Sequence, residues 1–149
     1  SHEVVLMNHN TKKCGAIKRA TKYGIPHVRI PHKNEDEMIK LFEAYQVDLI
    51  ILAGYMRVLK NPSLFPCPII NVHPSLLPKY KGLHAVEQAI ESGDKVTGCT
   101  VHYVNEELDG GEIIKQAEVP IQENDTVDEL TKRIQREEYR ILPEVINSL

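Results

Sequence analysis

The chain has 149 residues, of which 42% are hydrophobic and 26% charged, with 18 basic against 21 acidic side chains. This length and composition predict a single domain with its own hydrophobic core over residues 1–149. The formal net charge of -3 offers no overall attraction for nucleic acid, and the chain lacks the run of about 20 apolar residues that a membrane span requires.

The first half of the chain alternates short apolar runs with amphipathic segments. We predict strands at residues 3–7, 27–30, 49–53 and 68–72. Helices are predicted at residues 14–23, closed by Gly24, and from Asn34, which would cap the second helix. Strands separated by helices at close spacing are typical of an α/β fold with a doubly wound, mostly parallel sheet.

The second half has a different character. A short helix is predicted at residues 85–92, and strands at 97–104 and 113–119 are joined by a polar loop that suits an antiparallel pair. Thr126 and Glu129 form a capping box that opens a long C-terminal helix. Pro143 is expected to bend or break this helix. Its apolar stripe comprises Leu130, Ile134, Ile141, Val145 and Leu149.

Asn71 and His73 follow a buried strand, at the edge of an α/β sheet where ligands collect. If the chain is extended there, the two side chains point the same way. Together they could stabilise an oxygen that gains negative charge when a carbonyl is attacked. The alternative is a turn that Asn71 caps, with His73 exposed.

Asp109 and Glu138 each allow a functional and a purely structural interpretation. Asp109, on a Gly-rich loop, could orient a histidine and accept a proton, or Asp109-Gly110 could simply form a turn. Glu138 interrupts the apolar stripe of the last helix, so it either meets solvent or faces a polar ligand.

Other patterns argue against further chemistry. Cys14, Cys67 and Cys99 have no C-x-x-C spacing, so we expect free thiols in a cytoplasmic protein. No histidine spacing indicates a metal site, and His102 is interpreted as a packed or supporting residue. Neither glycine-rich nucleotide motif occurs.

Five segments also form an ordered set: residues 53–59 (AGYMRVL), 71–78 (NVHPSLLP), 82–89 (GLHAVEQA), 98–104 (GCTVHYV) and 107–111 (ELDGG). Over nearly its whole length the chain resembles the phosphoribosylglycinamide formyltransferases, within the families that use 10-formyltetrahydrofolate. The resemblance implies the formyltransferase fold and transfer of a formyl group to glycinamide ribonucleotide in purine synthesis, with no metal.

The resemblance also implies roles for particular residues. Asn71, His73 and Asp109 match the catalytic trio, in which Asp109 holds His73 charged and relays protons. Gln135 and Glu138 match positions that hold the ribonucleotide. The folate pocket matches Met56, Arg57, Val58 and Leu59 on one wall and Asn105, Glu106, Glu107 and Leu108 on the other. We expect small-molecule partners without nucleic acid or membrane, and a homodimer stays open.

One departure from the family concerns the amino terminus. The family begins with a further strand and a Gly-x-Gly-Ser-Asn loop that binds the substrate phosphate through backbone N–H groups, and we expect both to be missing from this chain. Two alternatives therefore remain, a formyltetrahydrofolate deformylase that uses water in place of the amine, and a non-catalytic domain that binds folate or a protein. Val72, where the deformylases tend to carry a second histidine, argues against the first.

Overall fold

The computed structural model describes residues 3–9, 15–31, 34–52 and 58–149. The strands are β1 (Met7–His9), β2 (His27–Arg29), β3 (Ile50–Leu52), β4 (Ile69–His73), β5 (Val96–Tyr103) and β6 (Ile113–Pro120). The helices are α1 (Gly15–Lys22), α2 (Glu35–Ala44), α3 (Ala85–Glu91) and α4 (Val127–Ser148), and a 3-10 turn covers Pro62–Leu64. This order confirms the predicted α/β architecture.

The strands form two sheets. Strands β1 and β2 pair in parallel, and a four-stranded sheet has the order β3-β4-β5-β6. Within it β3 and β4 are parallel, whereas β5 runs antiparallel to both β4 and β6. The predicted antiparallel pair is therefore present as β5 and β6, and the sheet is mixed because β5 also reverses direction relative to β4.

Helix α4 covers one face of this sheet and supplies much of the core. Leu130, Ile134, Ile141 and Val145 are at most 2% exposed and pack on Ile70, Cys99, Val101, Ala117 and Val119 of the strands. The Thr126 hydroxyl accepts a hydrogen bond from the Glu129 N–H at 3.1 Å, which confirms the predicted cap. A second cluster joins α2 to β3 and β4 through Met38, Phe42, Ile50, Phe65 and Ile69.

Three local expectations are wrong. Pro143 does not break α4, which continues to Ser148 because Ile141 and Val145 are buried on either side of it. Leu149 lies beyond the apolar stripe and is 49% exposed. Strand β1 covers Met7–His9, not the predicted residues 3–7.

Neither a membrane-spanning helix nor a metal-binding group emerges from the described ranges. None of their helices is both long and apolar enough to cross a bilayer. The same ranges contain no group of three His, Cys, Asp or Glu side chains placed to hold a metal ion. Cys67 and Cys99 are free thiols, as predicted, and Cys14 lies outside the described residues.

Candidate active site

Strands β4 and β5 place four polar side chains on one face of the sheet. Asn71 lies opposite His102 in the strand register, and His73 lies opposite Thr100. Side chains two residues apart in a strand share a face, so the expectation for an extended Asn71-Val72-His73 segment is met. His73, Thr100 and His102 are buried, at 6%, 0% and 2% exposure.

Asp109 reaches this patch from the loop between β5 and β6. Its Oδ2 atom lies 3.5 Å from Nδ1 of His73, and its Oδ1 atom lies 3.6 Å from Nε2 of His102. Oδ2 also accepts a 2.7 Å hydrogen bond from the Gly82 N–H. The Asp109 side chain is only 7% exposed. The acid is therefore held against both imidazoles by a backbone donor from a third segment.

The loop reaches that position through an unusual backbone conformation. Asp109 has a φ of 48°, in the left-handed region that few side chains adopt. A Cβ atom on Gly111 would lie 1.7 Å from the carbonyl oxygen of Tyr103, so only glycine fits where the loop rejoins the sheet. Asp109-Gly110-Gly111 is thus a tight turn that also aims a carboxylate at the histidines.

The ring of His73 contacts an oxygen at each nitrogen. Nε2 lies 2.7 Å from the backbone oxygen of Tyr80, opposite the Asp109 carboxylate at Nδ1. An imidazolium can donate a hydrogen bond from both nitrogens, whereas a neutral ring can donate from one. This environment accommodates the protonated ring that would stabilise a negatively charged oxygen.

His102 joins the two halves of the cluster, which agrees with its interpretation as a packed or supporting residue. Its Nε2 atom lies 3.4 Å from Nδ2 of Asn71 and 3.6 Å from Asp109. Its Nδ1 atom lies 2.9 Å from the Tyr103 oxygen. A signal was present in the polar residues Thr100 and His102, which alternate with apolar ones along a buried strand.

Thr100 braces the loop that follows His73. Its hydroxyl donates to the Ser75 oxygen at 2.7 Å and accepts from the Leu77 N–H at 3.1 Å. The amide of Gln116 on β6 donates to the Thr100 hydroxyl at 3.0 Å and to the Leu77 oxygen at 2.9 Å. These bonds tie the His73–Leu77 segment to the neighbouring strands.

Of the two predicted folate walls, the structure describes Val58 and Leu59 of the first and all four residues of the second. Met56 and Arg57 are outside the described residues, Val58 is 65% exposed and Leu59 is buried. On the opposite wall Glu106 accepts a 3.3 Å hydrogen bond from the Ser63 N–H, a short distance along the chain from Leu59. The residues of this wall, Asn105, Glu106, Glu107 and Leu108, are all exposed.

A cavity of about 300 Å³ lies between residues 62–69, which follow the first wall, and residues 104–106, which include the start of the second wall. Apolar side chains form much of its lining, with two polar residues of the second wall at its edge. Asn71, His73 and Asp109 do not line this cavity. Its lining residues are Pro62, Ser63, Phe65, Cys67, Pro68, Ile69, Val104, Asn105 and Glu106.

Gln135 and Glu138, the predicted ribonucleotide ligands, lie on α4. Gln135 is exposed, whereas Glu138 is half-buried and burial raises its pKa to about 7. Burial raises the pKa of the Cys99 thiol to about 12, and the nearby negative charge of Glu138 adds to this rise. No contact in the described part of the chain joins Gln135 or Glu138 to Asn71, His73 or Asp109.

Comparisons with known proteins identify this arrangement. The family model described as formyl transferase matches residues 1–146. A phosphoribosylglycinamide formyltransferase from Haemophilus influenzae is 45% identical over 139 residues, which cover 87% of this chain and 66% of that protein. The trifunctional purine biosynthetic protein adenosine-3 of Drosophila melanogaster is 44% identical over 156 residues, covering 99% of this chain and 12% of the relative.

A solved structure agrees with these relatives. The phosphoribosylglycinamide formyltransferase from Bacillus halodurans superposes with a TM-score of 0.92 at 38% identity, covering 98% of this chain and 80% of that one. The chain therefore belongs to the formyl transferase family. Within it, the relative from Haemophilus influenzae and the structure from Bacillus halodurans carry the name phosphoribosylglycinamide formyltransferase. The chain spans less than two thirds of the length of the curated relatives described above.

Proposed function

We propose that this chain transfers the formyl group of 10-formyltetrahydrofolate to the amine of glycinamide ribonucleotide, a step of purine synthesis. The observation that carries the proposal is the meeting of Asn71, His73 and Asp109 from two separate segments: Asp109 lies 3.5 Å from His73, and His102 links Asp109 to Asn71 through contacts of 3.6 and 3.4 Å. The kinship with phosphoribosylglycinamide formyltransferases supports the choice of substrates.

Asn71 and His73 stabilise the oxygen of the attacked formyl group in this proposal. When the amine nitrogen bonds to the formyl carbon, the carbonyl oxygen gains negative charge. The Asn71 amide has two N–H donors, and its contact with His102 leaves one of them for that oxygen. The protonated ring of His73 acts on that oxygen through its positive charge, since its two nitrogens already contact the Tyr80 oxygen and the Asp109 carboxylate.

Asp109 takes part in proton transfer in this proposal. The attacking amine loses a proton as the new C–N bond forms, and N10 of the folate gains one as its bond to the formyl carbon breaks. The Asp109 carboxylate accepts the first proton through a water molecule, and it lies 3.5 Å from Nδ1 of His73. Atoms and charges balance, because the proton lost by the amine equals the one gained by tetrahydrofolate.

The substrates occupy two sides of this centre. The folate binds between the wall formed by Met56, Arg57, Val58 and Leu59 and the wall formed by Asn105, Glu106, Glu107 and Leu108. The apolar lining of the adjoining 300 Å³ cavity supports this placement, since a flat heterocycle buries apolar surface there. Gln135 and Glu138 hold the ribonucleotide. We also propose that the chain forms a single domain, acts in the cytoplasm and has small molecules as partners. Whether it forms a homodimer stays open.

A spectroscopic assay of tetrahydrofolate formation tests the proposal. The chain is mixed with 10-formyltetrahydrofolate, and the rate is compared with and without glycinamide ribonucleotide. We expect product formation that depends on the ribonucleotide and saturates with it. Equal rates without the amine would assign the chain to a hydrolase instead, and folate binding without turnover would assign it to a binding domain.

A further inference from the structure

A buried carboxylate outside the trio holds one wall of the proposed folate site. Glu35, the first residue of α2, is 9% exposed, although it carries a charge. Burial of an ionised carboxylate is costly unless hydrogen bonds replace its water. Both oxygens have such partners, because the Lys60 N–H donates to Oε2 at 2.7 Å and the Asn61 N–H donates to Oε1 at 3.1 Å.

These two donors belong to the residues that directly follow the first predicted folate wall. Lys60 and Asn61 directly follow Val58 and Leu59, of which one is exposed and the other buried. Two backbone N–H groups held by one carboxylate fix both the position and the rotation of the chain there. Glu35 thereby holds the backbone directly after the two apolar side chains.

The same segment is held again on its other side. Ser63 lies in the 3-10 turn just after Asn61, and its N–H donates to the Glu106 carboxylate of the opposite wall. The cavity of about 300 Å³ lies between this turn and the Val104–Glu106 segment. A shift of residues 58–61 is therefore transmitted to both sides of the cavity.

We propose that Glu35 is a positioning residue for the folate substrate, which it orders through Lys60 and Asn61 without touching it. The inference rests on the proposed function, because it takes the wall around Val58 and Leu59 as part of the folate site. Glu35 contacts none of Asn71, His73 and Asp109 among the described side chains. Its loss therefore weakens folate binding and leaves the chemical step intact.

Glu35→Gln is the test variant, since glutamine keeps the shape but its NH2 group faces one of the two N–H donors. Glu37→Gln is the matched control, because Glu37 is exposed in the same first turn and its loss removes the same charge. We expect Glu35→Gln to raise KM for 10-formyltetrahydrofolate about tenfold. The kcat value and the KM for glycinamide ribonucleotide should stay within about twofold of the parent, as should every constant of Glu37→Gln.

Binding of a non-transferable deaza analogue of 10-formyltetrahydrofolate separates this inference from the proposed function. If the parent chain binds the analogue but does not turn over 10-formyltetrahydrofolate, formyl transfer is wrong and the analogue Kd decides about Glu35. Equal folate constants for Glu35→Gln and Glu37→Gln would overturn the inference, as would a fall in kcat at unchanged KM. Failure of the parent chain to bind the analogue would overturn both.

Folding is checked on each variant by thermal unfolding, and Glu35→Asp replaces Glu35→Gln if the latter does not fold. Aspartate keeps both carboxylate oxygens, but its side chain is one methylene group shorter. We therefore expect the folate KM to rise as well, by less than in Glu35→Gln. Amide hydrogen exchange adds a direct readout. Lys60 and Asn61 should lose protection in the variant while the amides of β4 and β5 keep theirs, and unchanged protection at both positions would contradict the role.

Discussion

The two faces of strands β4 and β5 differ sharply. One face presents Asn71, His73, Thr100 and His102, which are linked by polar contacts to two loops. The other face presents apolar side chains that pack against α4. Because successive residues of a strand face opposite sides, neighbours such as Cys99 and Thr100 serve different purposes. Substitutions on the first face should change the rate, and those on the second should change the stability.

The largest expected effect comes from Asp109→Asn. Asparagine can still accept the Gly82 N–H, but it places no negative charge beside His73 and cannot take a proton. We expect kcat to fall about 100- to 10,000-fold while the folate Kd stays within about twofold. Steady-state kinetics with analogue binding measure both, and Asp128→Asn on the exposed start of α4 is the control. A loss smaller than tenfold would reject the proton-relay role.

Ile141→Ala tests the apolar face. Ile141 is fully buried between α4 and the sheet, so its truncation leaves a cavity. The free energy of unfolding should fall by about 2–5 kcal/mol in a urea titration, with kcat unchanged under conditions where the variant is folded. Leu149→Ala, at a half-exposed position, serves as the control with a small effect. A drop in kcat as large as that of Asp109→Asn would erase the contrast between the faces.

A pair of adjacent variants makes the contrast sharper. Thr100→Val removes the hydroxyl that braces Ser75 and Leu77, so we expect about 1–3 kcal/mol of lost stability together with a roughly tenfold lower kcat. Cys99→Ala, one residue away and equally buried, should lower stability by about 1 kcal/mol without changing kcat. Denaturation and kinetics on both variants are the measurement. If Cys99→Ala slows turnover as much as Thr100→Val, the division between faces is wrong.

Glu138 should make stability depend on pH. Burial raises its pKa from 4.5 to about 7, so between these values the folded chain binds more protons than the unfolded chain. This contribution is full below pH 4.5 and is lost as the pH rises towards 7, with a slope of at most about 1.4 kcal/mol per pH unit. Glu138→Gln should remove this slope when unfolding is followed across that range. If the stability of the parent and of Glu138→Gln changes identically with pH, folding does not raise the pKa of Glu138.

Local patterns predicted much of the fold. The Thr126 cap, the apolar stripe of α4 and the shared direction of Asn71 and His73 depend on residues close in sequence, so their periodicity was sufficient. Pro143 was misjudged because the burial of Ile141 and Val145 outweighs the local cost of proline. Tertiary packing of this kind cannot be read from one helix.

The candidate site divides in the same way. Motif resemblance singled out Asn71, His73 and Asp109, and the structure brings them together, although their catalytic roles stay predictions. His102 was interpreted as a packed or supporting residue, but its partners could not be predicted because they depend on the register between β4 and β5. Glu35 was missed because its partners lie 25 and 26 positions away, with no pattern linking them in the sequence.

The fate of the formyl carbon tests the central claim most directly. The chain is incubated with 10-formyltetrahydrofolate labelled with carbon-13 in its formyl group and with glycinamide ribonucleotide, and the products are followed by carbon-13 NMR. We predict that the label appears in an amide of the ribonucleotide, one equivalent for each tetrahydrofolate formed. Appearance of the label in free formate, with the ribonucleotide unlabelled, would contradict the account.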